Sequence, residues 1–310
     1  ASYVHFLGRH AIHQTRGKGL PTMNALGHLI FEDFNRSMNL INAPELADGI
    51  RAILSGWDVK AGDVLLASAD MTFENTGRLY DWSVASEGLK ADRLFGKPRT
   101  VCDAVCDFHY EAYRWYRETF ARHLCVHAAA VDIGGTLMLF PNTFAAGKST
   151  LAVALAAEGM KIFGDDVVAI DTDSLELLSL GIMPRLRLPL PRQSLGLDLL
   201  KFLKNHAGIS GSEQFYTKLN RRSQAALGER RPIGGFVILD RLPRNSATTI
   251  TEVGQADILK AMIEQNFNTK LDVNRIFQCL RGVVSKSKAY RLAYSDLREA
   301  VSGIRKVSIQ

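Results

Sequence analysis

Apolar positions change their spacing three times between Cys125 and Asp171, and each change predicts an element. Cys125 to Asp132 (CVHAAAVD) reads as a strand, and Gly134-Gly135 as a tight turn. Thr136 to Phe140 (TLMLF) has no polar alternation, as a strand buried on both faces requires. Lys148 to Glu158 (KSTLAVALAAE) is rich in strong helix formers and is stopped by Gly159. Met160 to Phe163 and Val167 to Ile170 are apolar strand pieces flanking Gly164-Asp165-Asp166. Strand, loop, helix and strand make a βαβ unit.

Upstream the pattern is looser. Ser2 to Leu7 reads as a short strand, and Leu26, Leu29, Ile30 and Phe34 give Met23 to Ser37 helical spacing. Pro44 at a first turn opens a helix over Glu45 to Ser55, and Gly62-Asp63 precedes a strand over Val64 to Ser68. Glu74, Asp81 and Glu87 are scattered acids expected in solvent. No catalytic constellation stands out here, so residues 1–105 are expected to form an accessory α+β domain ahead of a catalytic domain over 106–310. Val105 to His123 predicts a helix whose aromatics (Phe108, Tyr110, Tyr113, Trp115, Tyr116, Phe120) suit a packing face better than a base-stacking surface.

The chain has 310 residues, 46% apolar and 23% charged, an ordinary globular balance. Its formal charge of +6 suits an anionic ligand or an acidic peptide but is too dispersed to indicate nucleic-acid binding. No apolar run approaches the roughly 18 residues of a membrane span, and no secretory signal is visible. Cys102, Cys106, Cys125 and Cys279 form no disulfide-scaffold pattern, and the expected location is the cytoplasm. A zinc site can be drawn from Cys102, Cys106, His109, His123, Cys125 and His127, but small buried thiols at a helix start are the plainer reading.

The loop before the strong helix carries the chemistry. Asn142-Thr143-Phe144-Ala145-Ala146-Gly147-Lys148-Ser149 matches the phosphate-loop pattern G-x-x-x-x-G-K-[ST] except at its first position. Such a loop turns backbone N–H groups toward phosphates, and Asn enters the left-handed conformation that the first position can need. The helix N-terminus adds partial positive charge. Residues 142–150, Thr150 included, are therefore the expected nucleotide-binding segment. Lys148 would reach the β- and γ-phosphates and Ser149 would hold Mg²⁺. Asp165 and Asp166 follow closely, and two adjacent acids can divide the roles of metal-shell carboxylate and base for an attacking hydroxyl.

With these residues in place, the chain resembles HPr kinase/phosphorylase and its relatives. The shared parts are a strand with a histidine (His127), the phosphate loop, the alanine- and leucine-rich helix, and the strand followed by Asp165-Asp166. The likeness continues more loosely through Pro184 to Pro191, Gly235 to Leu239 and Ala289 to Leu297, covering roughly residues 106–310. It implies an α/β P-loop kinase core of the HPr-kinase/PEP-carboxykinase-like type. It also implies Asp165 as base, Asp166 with Ser149 at the metal, and His127 near the phosphates or acceptor. Asn142 and Ala145 stand where those enzymes usually carry glycine. No counterpart of the C-terminal motif tied to their phosphorylase reaction is evident, so a kinase is expected rather than a reversible enzyme.

The expectation is thus an ATP- or GTP- and Mg-dependent kinase of a serine hydroxyl in a peptide or protein. Among the HPr-kinase-related proteins that the chain resembles, the branch that phosphorylates the C-terminal serine of lasso-peptide precursors is the first to compare. A small-molecule hydroxyl kinase and a nucleotide-binding regulator with little turnover are the alternatives. Arg185, Arg187 and Arg222, in a basic set with Arg192, Arg221, Arg230 and Arg231, are candidates to meet an acidic acceptor. Asn205 to Gln214 reads as a mobile loop. A homo-oligomer is left open.

Overall fold

The computed structural model describes residues 26–77, 79–85, 100–142, 146–190, 195–267 and 270–308. The expectations for Ser2 to Leu7, Glu87 and Arg192 lie outside them, as do those for Thr143, Phe144 and Ala145. Among the described residues the chain is mixed α/β with seven α-helices, and it divides into two compact units. The first holds the chain to Thr119 together with 187–189 and 207–218, and the second holds the rest.

The first unit contains β1 (Leu26–Phe31), β2 (Arg36–Ile41), α1 (Pro44–Ile53), β3 (Val59–Gly62), β4 (Met71–Asn75), β5 (Tyr80–Val84) and α2 (Val101–Thr119). Its sheet runs β3-β1-β2-β4-β5, with only the β2–β4 pair parallel. The helix expected over Met23 to Ser37 is instead a hairpin of β1 and β2 joined by a 3-10 turn, Glu32–Phe34. Leu29 and Phe31 are buried while Ile30 between them is half-buried, so the operative period is two. Helical spacing joins Leu26, Leu29 and Ile30, whereas period two puts Leu26 and Ile30 on one face and Leu29 with Phe31 on the other, and pairing with β2 selected the second.

The strand expected at Val64 to Ser68 lies earlier, at β3, and Val64 and Leu65 are exposed. Gly62 closes that strand because a Cβ there would stand 2.4 Å from the His28 ring. Helix α2 begins before Val105, so a boundary at residue 105 cuts it, whereas the whole helix belongs to the first unit. Its aromatics pack: Phe108 and Trp115 are fully buried, with ring centroids 5.3 and 5.2 Å from Phe31.

Much of the stretch read as a mobile loop is a β-hairpin in the first unit, Ala207–Ser210 against Gln214–Thr217. Its glycines serve close packing rather than mobility: a Cβ on Gly208 would meet the Tyr216 carbonyl at 2.6 Å.

The second unit contains β6 (His123–Val126), β7 (Ala129–Ile133), β8 (Thr136–Phe140), α3 (Lys148–Ala157), β9 (Lys161–Gly164), β10 (Val168–Asp171), β11 (Glu176–Leu178) and α4 (Leu197–Asn205). It continues with β12 (Arg230–Arg241), β13 (Thr249–Glu252), α5 (Gln255–Glu264), α6 (Val273–Val284), β14 (Lys288–Tyr294) and α7 (Leu297–Ser308). The sheet order is β6-β10-β11-β12-β8-β7-β9, with β14 on β12 and β13 on β14. Helices α5 and α6 bury Ile258, Met262, Leu280 and Val283 against Val126, Ala130, Leu137, Leu139 and Phe236. The alternate residues of β7, Ala129 and Val131, are equally buried, and α3 packs against β7, β9 and α7.

The single strand expected over Cys125 to Asp132 is broken at His127-Ala128. β6 pairs with β10, whereas β7 pairs with β8 and β9, so the chain changes partners at the break. The His127 N–H, withdrawn from the ladder, donates to the Gln265 carbonyl at 2.9 Å. A histidine is thereby left at a sheet edge.

Candidate phosphate-binding site

Strand direction gathers the candidate residues. β8, β12 and β14 are mutually parallel. β9 is antiparallel to β7, and β7 to β8, so β9 runs with β8. The carboxyl ends of β8, β9, β12 and β14 therefore share one edge, where open α/β sheets bind ligands. His127 precedes β7, which runs the other way, so it reaches the same edge.

Asn142, just beyond β8, does not have positive φ, contrary to the expectation for that position. Its side chain explains its presence instead. Nδ2 donates to the Leu239 carbonyl at 2.9 Å, and Oδ1 accepts from the Leu239 N–H at 2.8 Å. This reciprocal pair ties the loop's start to β12, and both residues are buried. The left-handed residue lies at the loop's other end, Gly147 at φ 91°, directly before Lys148. As the N-cap of α3 it carries no side chain, so no side-chain cap covers the first turn, and no acid stands in that turn. Backbone donors and partial positive charge there suit an anion.

Lys148 is 6% exposed, and its Nζ donates to the Asn142 carbonyl at 2.8 Å and to His127 Nε2 at 2.9 Å. An ammonium only donates, so Nε2 accepts and the imidazole proton sits on Nδ1. Nδ1 lies 3.2 Å from Asp166 Oδ1. The second Asp166 oxygen takes Arg185 Nη2 at 3.1 Å, and the Arg185 N–H donates to Asp165 Oδ2 at 3.2 Å. Lysine, histidine, aspartate and arginine thus form one chain of contacts beneath the loop.

The turn that carries the two acids is built locally. Gly164 ends β9 where a Cβ would stand 2.5 Å from Val168 Cγ1. Asp166 then takes φ 72°, a left-handed position that Asp tolerates better than bulkier residues. Asp165 is 5% exposed and shares a hydrogen bond with the Ser149 side chain. Burial, and then the neighbouring Asp166 carboxylate, push Asp165 up to about 6. The Ser149 hydroxyl and the Asp165 and Asp166 carboxylates are the hard oxygen donors that magnesium takes, so the residues fit that ion.

The other candidates are dispersed. Arg185 stands against the acids, with a side chain 9% exposed, while Arg187 and Arg222 are exposed. Cys106 meets Gln214 in the first unit at 2.8 Å, and His109 sits between the Tyr113 and Tyr216 hydroxyls. His123 stacks on Phe120 and faces Asp171. The drawn zinc set is thus dispersed, and among the described residues no three such side chains gather for a metal.

Two neighbours of the loop escaped the sequence reading. The Tyr294 hydroxyl lies 2.7 Å from where a Cβ of Gly147 would stand, and Arg241 lines the same crevice. Their signal was indirect: each ends a strand parallel to β8.

No family model matches the chain, and no curated protein does. Among solved structures it is similar to the Hpr(Ser) kinase/phosphatase from Coxiella burnetii, at 13% identity and a TM-score of 0.28. The match covers 60% of this chain and 96% of that one. Overlap this slight carries no functional argument, which rests on the site's own geometry.

Proposed function

We propose that the chain is an ATP- and Mg-dependent phosphotransferase that moves the terminal phosphoryl group to the serine hydroxyl of a peptide or protein. One observation carries this reading. A glycine-led helix N-terminus with Lys148 and Ser149 converges at one sheet edge with a paired carboxylate, one member bonded to Ser149 and the other linked through His127 to Lys148. Loop amides and Lys148 hold the β- and γ-phosphates. Ser149 with an adjoining carboxylate would hold magnesium, which when bound would supply neutralising charge to the phosphates. Asp165, shifted toward neutrality, accepts the acceptor's hydroxyl proton. The hydroxyl oxygen bonds to the γ-phosphorus, the bond to the β–γ bridging oxygen breaks, and nucleoside diphosphate leaves with that electron pair.

A serine beside acidic or C-terminal carboxylate groups, as in a ribosomal peptide precursor, is the proposed acceptor. The charge of +6 and the exposed Arg187 and Arg222 support it. The test incubates the protein with ATP, magnesium and two panels, serine peptides and small hydroxyl metabolites. A gain of about 80 Da on a peptide is expected, the mass of an added phosphoryl group. Robust labelling of metabolites with no peptide labelled would replace this reading with a small-molecule kinase.

A further inference from the structure

The edge that carries the phosphate loop has two sides, and the acids occupy only one. Across the sheet the order is β9-β7-β8-β12-β14. Asp165 and Asp166 follow β9, two strands from the loop, and mark where the terminal phosphate reacts. The rest of a nucleotide must leave toward β12 and β14. These strands end at Arg241 and Tyr294, about 10 Å along the edge at roughly 5 Å per strand, a span that a phosphate chain and sugar can bridge.

A built groove lies on that side. Arg244, Asn245, Ser246 and Ala247, after β12, face Ser295, Asp296 and Glu299, after β14, across an open volume of about 600 Å³. That is an ordinary size for a small-molecule site. Its walls are fixed. Ser295 Oγ donates to the Ser246 carbonyl at 2.8 Å, Thr248 to Glu299 at 2.6 Å, and the Leu242 N–H to the Tyr294 carbonyl at 2.8 Å. Ser295 also lines a crevice of about 10 Å³ with Gly147, Thr150, Arg241 and Tyr294, room for about one water. Groove and crevice thus share Ser295 as a common wall, and Gly147 lines the crevice as well.

We infer that this groove holds the nucleoside half of the phosphoryl donor, an inference that rests on the phosphotransferase reading. Tyr294 and Arg241 mark where the phosphate chain leaves the loop. Hydroxyl, amide and carboxylate groups along the groove meet the ribose hydroxyls and the base edge, and the Arg244 guanidinium provides a flat face for the base. Among the described residues Tyr294 is the one aromatic side chain lining either cavity. The described lining of the groove would meet the base through polar contacts and a guanidinium.

The experiment measures binding of Mg-ATP and of inorganic tripolyphosphate to the full chain by calorimetry. It compares wild type, Arg244→Ala, Ala247→Trp and Lys148→Ala, and also measures the acceptor KM. Arg244→Ala and Ala247→Trp should each weaken ATP by about tenfold or more, near 1.4 kcal/mol, and leave tripolyphosphate within about twofold. Lys148→Ala should weaken both ligands. If Lys148→Ala weakens both while Arg244→Ala leaves ATP unchanged, the phosphate loop stands and the nucleoside groove is wrong. A rise in acceptor KM without a change in ATP affinity would give the groove to the acceptor and overturn the inference. No effect of Lys148→Ala on either ligand would remove the phosphotransferase reading itself. Arg244→Ala, a truncation at an exposed rim, keeps the test decisive should Ala247→Trp fail to fold.

Discussion

Asp165→Asn should make the protein more stable and less active at once. The carboxyl is almost fully buried, and its pKa stands at about 6 against 3.8 for an ordinary aspartate. The folded state therefore favours the protonated form. Below about pH 3.8 the group is neutral in both states and costs nothing. As pH rises toward 6 the unfolded chain releases the proton first, so stability falls, and above 6 the loss is complete. About two units at 1.36 kcal/mol each give ~3 kcal/mol. Asn carries no charge but surrenders one acceptor, a loss of about 1 kcal/mol. The net expectation is ~2 kcal/mol of added stability at pH 8, gone by about pH 4.5 and reversed below it, where only the lost acceptor counts.

All three tryptophans, Trp57, Trp82 and Trp115, lie in the first unit. Urea unfolding should therefore be followed by far-ultraviolet circular dichroism, without metal and with chelator, at pH values from 4 to 8. Turnover at pH 8 should fall by a factor on the order of 10². A variant less stable than wild type at pH 8, or a stability gap that does not change with pH, would refute the reasoning about burial. Full turnover would remove Asp165 as base.

Asn142→Ala should cost about 2–4 kcal/mol in urea unfolding, because the buried Leu239 N–H and carbonyl both lose their partner. Gly147→Ala should weaken ATP about tenfold or more by calorimetry, since φ 91° strains any side chain and the Tyr294 hydroxyl would stand 2.7 Å from the new Cβ; Tyr294→Phe in the same chain should restore only part. His127→Ala should lower turnover by a factor on the order of 10² while the ATP Kd, read by calorimetry, moves by less than about threefold. Asp166→Asn should also keep nucleotide binding; if its rate loss exceeds that of Asp165→Asn, the two acids exchange roles.

What was legible in the sequence was local. The Gly147-Lys148-Ser149 helix start, helix α3 and the acidic turn lie within one βαβ unit, where each signal sits a few residues from the next. Short apolar runs were not legible in the same way. Leu26, Leu29 and Ile30 satisfy helical spacing while Leu29 and Phe31 satisfy strand spacing, and pairing of Leu29 with Met38 across the hairpin resolved them. Gly208 looked like a loop glycine because the backbone it packs against, at Tyr216, comes later in the chain. Asn142 was read for its backbone when its side chain mattered, since Leu239 is nearly a hundred residues away. Arg241 and Tyr294 could not be assigned from spacing at all. Their place beside Gly147 depends on two parallel pairings, β8 with β12 and β12 with β14.

The contact chain under the loop also bears on why so many charges survive burial. Lys148 and Arg185 are cations, and Asp165 and Asp166 are carboxylates, arranged so that each charge faces a partner or the neutral His127 bridge. With both acids ionised the four charges cancel; with Asp165 protonated one positive charge remains. A site so balanced avoids the several kcal/mol that an uncompensated buried ion costs. The same balance leaves little cationic surplus for an incoming triphosphate. In the proposed reaction the deficit would fall to the uncapped N-terminus of α3 and to magnesium at the Ser149 oxygens. Arg241, which ends a strand parallel to β8, stands on the side where a bound nucleotide would need added positive charge.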